Sequence, residues 1–142
     1  LARIAGLFSR RGFNIFSFAV APTDDPSLSR ISIVVDVHNT DAAQIAKQLD
    51  KLVNVLEITE LQPVSSIERE LMVARVEGID SDAVRNFIDE VGGSVLDSND
   101  RELIVSVHAH PNELDACEAK LRKFGILELQ RTGRIALGRL DS

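Results

Sequence analysis

The side chains with metal-binding or nucleophilic character are few, and their spacing decides what they could do. His108 and His110 stand two apart in an extended run, so both rings would leave one strand face, with Cys117 following in the next predicted helix. That is a partial ligand set for nickel or zinc, and a third histidine is wanting. Cys117 also shares an apolar helical stripe with Leu114 and Leu121, where a free cysteine serves as core filler. The carboxylate pairs Asp24-Asp25 and Asp89-Glu90 fall in a loop and late in a helix, and read as solvated surface. Gly133 to Gly138 has the glycine spacing of a phosphate loop, but Arg139-Leu140 follows where Lys and Ser or Thr are required. There is no Gly-x-Ser-x-Gly elbow and no His-Glu-x-x-His helix. With no converging acid, base or nucleophile, the chain reads as non-catalytic, with no cofactor or metal of its own.

Composition narrows the partners. The 142 residues suffice for one ordinary domain or two small ones. A net charge of −6, with no Trp or Tyr, argues against nucleic acid, which needs phosphate neutralisation and stacking platforms. The single cysteine excludes an internal disulfide, and no apolar run approaches the roughly 20 residues of a membrane span. No charged-then-apolar leader opens the sequence, so a cytoplasmic location is expected.

The elements that must position any site follow from periodicity. Four segments carry apolar residues at or near helical spacing. They are Leu1, Ile4, Ala5 and Phe8 before Gly12; Ala42, Ile45, Ala46 and Leu49 after Asp41; Val84, Phe87, Ile88 and Val91 before Gly92; and Leu114, Cys117 and Leu121 between Pro111 and Gly125. Alternating or β-branched runs predict strands at 14–21, 29–37, 53–61, 69–77, 94–97, 102–109 and 126–131. Pro22 to Pro26 makes a hairpin loop. Phe16, Phe18 and Val20 alternate onto one strand face and are expected to pack against a helix.

The second half thus reads strand, helix, strand, strand, helix, strand. The first half matches it without the opening strand. The expected fold class is α+β, with two tandem ferredoxin-like βαββαβ domains, over residues 1–61 and 68–142, joined by a linker at 62–67. In this unit the opening strand lies in the middle of the sheet, and leaving its neighbours' backbone groups unpaired costs on the order of 1–3 kcal/mol for each buried group. A strand-forming segment ahead of Leu1, or another segment filling the gap, is therefore expected.

Several collinear blocks resemble one family. Leu1-Ala2-Arg3-Ile4-Ala5-Gly6-Leu7-Phe8-Ser9-Arg10-Arg11-Gly12-Phe13-Asn14-Ile15, the loop Ala21-Pro22-Thr23-Asp24-Asp25-Pro26, Leu28 to Val35 and Lys47 to Leu52 resemble the small regulatory subunit of acetolactate synthase. So do Glu68-Arg69-Glu70-Leu71, Phe124-Gly125-Ile126 and Arg131 to Leu137.

The resemblance implies an N-terminal ACT domain that pairs with a second copy as a homodimer, and a C-terminal domain of related topology. It implies a large catalytic subunit as partner, which would carry the thiamine diphosphate, Mg2+ and FAD. It also implies feedback inhibition by valine in branched-chain amino-acid biosynthesis. Asn14 and Ile15 match the family's effector-binding pattern, and an amide offers both donors and an acceptor to an amino acid's charged ends. From the residues alone, Asn14 reads first as a residue that caps the turn after Gly12. Phe16 stands where the family has an acidic residue and Phe18 where an aliphatic one is common, which leaves the effector open between valine and another branched-chain amino acid. Thr23, Asp24, Asp25 and Arg30, on and beside the hairpin loop, are the candidate contact with the catalytic subunit, against an ordinary hairpin connection. The alternative is a stand-alone ACT-type small-ligand or metal-responsive regulator, because His108, His110 and Cys117 are loosely similar to the ligands of nickel-responsive repressors.

Overall fold

The computed structural model describes residues 2–11, 14–35 and 42–141. It divides into two compact units, Leu1–Ile67 with Ala136–Ser142, and Glu68–Ile135.

The second unit follows the predicted element order. Strand β3 (Ser66–Glu77) leads to helix α3 (Ser81–Glu90), β4 (Ser94–Ser98), β5 (Glu102–Ala109), α4 (Pro111–Phe124) and β6 (Ile126–Arg131). The strands hydrogen-bond in the order β4-β5-β3-β6. β3 is central, antiparallel to β5 from Glu70 opposite Ala109 to Glu77 opposite Glu102, and to β6 from Met72 opposite Arg131 to Val76 opposite Ile126. Strand alternation puts Met72, Ala74 and Val76 on the same face as Leu103, Val105 and Val107. The helical stripes Val84 and Ile88 of α3 and Leu114, Cys117 and Leu121 of α4 pack onto that face, closing one core of eleven buried side chains. Burying each Val or Leu there contributes about 1.5–3 kcal/mol before entropy is counted.

Local chemistry sets the helix ends. Asp80 caps α3 by accepting from the Ala83 amide at 3.2 Å, and the helix stops at Gly92, whose φ of 73° lies in the left-handed region that favours glycine. The His110 Nδ1 accepts from the Asn112 amide at 3.1 Å to open α4, with Pro111 in the first turn where no amide is needed. Gly125, at φ 107°, ends it by donating to the Leu121 carbonyl at 3.0 Å. One charged cluster ties α4 to the sheet: Arg131 Nε donates to Glu70 at 2.8 Å and Nη1 to Asp115 at 2.7 Å.

A strand not anticipated from periodicity, β7 (Ile135–Gly138), also pairs with β3. The glycines at 133 and 138 therefore bracket a turn and a strand, and their spacing does not form a phosphate loop.

The first unit holds α1 (Ala2–Arg11), β1 (Ile15–Pro22), β2 (Ser29–Val35) and α2 (Ala42–Asp50). Among its described residues the buried apolar side chains are Leu7, Phe8 and Ile45. The stripe of α1 is rotated from the expected one, because Leu7 is buried with Phe8 while Ala5 is exposed. Leu1, Gly12, Val37 and Asp41, used in the sequence reading, lie outside the described residues.

The strand expected at 53–61 is not formed. After α2 the chain turns, Leu52 donating to Leu49 and Val55 to Leu52, and residues 55–62 run without a ladder. Val53 and Leu56 are 84% and 75% exposed. A strand exists only through its partner. In the split unit that partner is the opening strand, and among the described residues no strand pairs with this segment. The expected linker 62–67 carries a short 3-10 turn at Pro63–Ser65, and β3 begins within it at Ser66.

Candidate functional site

β1 and β2 form an antiparallel hairpin with Val20 opposite Ile31 and Phe18 opposite Ile33. Directly opposed residues share a face, so Phe18, Val20, Ile31 and Ile33 lie together. The ladder then slips by one residue: Ser17 pairs with Val34 but Ile15 pairs with Val35, leaving Phe16 as the extra residue of a β-bulge. Ile15 takes the in-face position that alternation assigned to Phe16. The expectation that Phe16 and Val20 pack in a core is corrected, since Phe16 is 64% and Val20 45% exposed. Phe18 is half-buried.

Asn14 sits exposed at the entry to β1. Its side-chain amide makes no hydrogen bond to any described residue, and the turn after Gly12 that it could cap lies outside the described residues. Ile15, the next residue, is half-buried and opposite Val35.

The hairpin loop lies at the other end of the same strands. Thr23 Oγ1 donates to the Asp25 carbonyl at 2.9 Å and accepts from the Asp25 amide at 3.1 Å. Asp25 Oδ1 accepts from the Ser27 amide at 3.0 Å and the Ser27 hydroxyl at 2.8 Å. These two bonds, the backbone one first, hold the Asp25 carboxyl below the ordinary aspartate range. Thr23 and Asp25 are thus occupied in shaping the loop. Asp24 and Arg30 are exposed, with side chains that make no such bonds among the described residues, and Arg30 stands on β2 opposite Ala21.

The structure therefore brings Asn14 and Ile15 together, and Asp24 with Arg30 near one loop, but separates the two groups by the length of β1. At about 3.3 Å per residue that is roughly 25–30 Å. They are two surfaces and not one site. Sequence reasoning missed the bulge at Phe16, for which the sequence carries no local signal, since a bulge is a choice of cross-strand register.

The remaining chemistry-bearing groups resolve into structural roles. His110 lies beyond β5, with Nδ1 engaged at the α4 cap and Nε2 3.2 Å from Glu68. His108 is exposed, and Cys117 is part of the core, where burial pushes its thiol pKa up. No group of three His, Cys, Asp or Glu side chains that could hold a metal ion occurs among the described residues. Arg75 pairs with Glu102 at 2.7 Å and Glu128 at 3.6 Å on the sheet face opposite the helices.

A βαββαβ sheet unit preceded by a helix, a β-hairpin and a second helix is an element order compatible with ACT-type proteins. Comparison gives the particular family. Residues 1–57 match the model of the AHAS small subunit-like ACT domain, and residues 69–140 that of the small subunit of acetolactate synthase. The chain is 39% identical over 142 residues to the acetolactate synthase small subunit of Mycobacterium bovis, covering 98% of this chain and 84% of that one. It is 39% identical over 144 residues to the acetolactate synthase isozyme 3 small subunit of Escherichia coli, covering 99% and 88%. The crystal structure of the acetolactate synthase small subunit from Thermotoga maritima superposes with a TM-score of 0.90 at 30% identity, covering 99% of this chain and 89% of that one. The chain belongs to the acetolactate synthase small-subunit family, whose role in the enzyme is regulatory. No helix among its described residues is long and apolar enough to cross a membrane.

Proposed function

We propose that the chain binds to the large catalytic subunit of acetolactate synthase in the cytoplasm, raises its activity, and makes it respond to a branched-chain amino acid, valine foremost. The chemistry, with its thiamine diphosphate, Mg2+ and FAD, resides in the large subunit. The first domain, residues 1–61, pairs with that of a second copy and holds the effector at Asn14 and Ile15. A linker at 62–67 leads to the second domain, 68–142. Asp24 and Arg30, with the loop shaped by Thr23 and Asp25, form part of the contact with the catalytic subunit.

The observation that carries the effector reading is the exposed, unbonded Asn14 amide beside an apolar strand start. An amino acid presents an ammonium and a carboxylate, and an Asn amide can donate to one and accept from the other. Family membership over nearly the whole chain supports the subunit reading and not a stand-alone sensor.

The test is reconstitution. The matching large subunit is assayed with and without this chain across a valine series. Activity is expected to rise on addition of the chain and to fall again with valine. Asn14→Ala is expected to raise the half-inhibiting valine concentration by at least about tenfold, the scale of one polar contact to a charged group. Unchanged inhibition by Asn14→Ala rejects the effector site, and absence of any activation rejects the partner.

A further inference from the structure

We infer that His110 is a proton-controlled cap on α4: with a neutral ring it holds the first turn of the helix, and on protonation it releases that turn while keeping Glu68. Each ring nitrogen has a partner, and the two partners require one tautomer. Nδ1 accepts from the Asn112 amide at 3.1 Å. An imidazole nitrogen that accepts carries no proton, so in the neutral ring the proton is on Nε2. Nε2 lies 3.2 Å from Glu68 Oε2, where a carboxylate can accept that proton. The neutral ring therefore satisfies both neighbours at once.

The cap has no substitute among the backbone groups beside it. Pro111 has no amide, and the amides of Glu113 and Leu114 already donate to the His110 carbonyl at 2.9 and 3.0 Å. Asn112 is thus the first-turn residue whose amide depends on a side chain. A second proton can enter the ring only at Nδ1, and it turns that nitrogen from acceptor to donor. Two donors then face each other, and the positive end of the helix dipole also repels the cation. Across the ring, Glu68 favours the same cation, with its other oxygen 3.5 Å from Arg134 Nη1. The other charges at this end are Glu113 in the first turn of α4, the exposed His108, and Arg131, which reaches the Pro111 carbonyl at 3.4 Å and is itself paired with Glu70, Asp115 and Glu118. The His110 side chain is 36% exposed, so solvent protons reach it. Protonation trades a helix cap for an ion pair, and the start of α4 loosens in the range where histidines change charge.

The experiment is an NMR titration of the 15N-labelled full chain from about pH 8 to about pH 5, the range of histidine ionisation. It follows the His110 ring nitrogens and the exchange protection of the Asn112 amide, corrected for the intrinsic pH dependence of exchange. At the alkaline end the ring is expected to carry its proton on Nε2. As the ring titrates, the Asn112 protection should fall by about fivefold, the scale of one lost helix cap. His110→Asn keeps a capping acceptor and removes the titrating ring, so its Asn112 protection should stay within about twofold across the same range. His110→Ser reads the same quantity should the asparagine variant fail to fold. A neutral ring with its proton on Nδ1 overturns the inference. So does protection that stays level while the ring titrates, or an equal loss in the Asn or Ser variant, which would assign the effect to a neighbouring carboxylate.

Discussion

The two units share a grammar of helices over an antiparallel sheet, yet they bury themselves differently. In the second, β3 is flanked on both sides, and eleven side chains from two helices and two strands close one core. In the first, β1 pairs with β2, and Leu7, Phe8 and Ile45 are the buried apolar side chains among the described residues. The helical stripes are present in both, so helices alone do not make the core. A central strand does. It pairs two neighbours at once and widens the apolar face that the helices can cover, and among the described residues the segment 53–61 pairs with no strand. The unit with the two-stranded sheet is also the one in which the effector site is proposed, which fits the general rule that binding elements are drawn from the less stable parts of a fold.

The largest test of this contrast is a pair of core truncations. Leu121→Ala, in the closed core and fully buried, is expected to cost about 4 kcal/mol, while Ile45→Ala, 6% exposed, is expected to cost about 2, at the low end for such a truncation. Urea denaturation followed by hydrogen exchange in each half measures both, and equal losses would break the comparison.

The next effect lies in the charged cluster of the second unit. Arg131→Ala leaves the Glu70 carboxylate, 8% exposed, without its guanidinium, and is expected to cost about 2 kcal/mol in the same measurement. The double change Arg131→Met with Glu70→Leu should recover most of that, because the carboxylate is then no longer buried alone. If the double variant is as unstable as the single one, the cluster acts through packing and not charge.

The smallest effect belongs to the first unit and sharpens what orders its loop. Asp25 has a lowered carboxyl pKa in the fold, so its contribution is fully present above the ordinary aspartate value and is lost as pH falls through the lowered one. An NMR titration of the Ser27 amide should therefore show its midpoint below the ordinary aspartate range. A midpoint at the ordinary value would remove the Asp25 to Ser27 bonds as the loop's organiser.

Much of the second unit was legible in the sequence. Val84 and Ile88, and Leu114, Cys117 and Leu121, declare their helix faces by spacing, and Gly92 and Gly125 mark where those helices stop. The alternation of Met72, Ala74 and Val76 declares the buried face of β3. The first unit was less legible. The β-branched run after Val53 has strand character, but a ladder needs two partners, and periodicity reports on one. The same limit hid β7 and the slip that exposes Phe16. At the candidate site, Asn14 and Ile15 were named through family resemblance, whereas the exposure of Asn14 and its separation from Asp24 and Arg30 required coordinates.

By itself the sequence determined the order and type of most elements, the absence of familiar catalytic motifs, and the family, because helix periodicity, glycine stops and collinear blocks are written within a few neighbouring residues. Which strands pair, which residue of β1 turns outward, and which carboxylate Arg131 neutralises were decided only by tertiary structure. Those outcomes depend on contacts between residues far apart in the chain, where a shift of one residue changes the face that every later side chain presents.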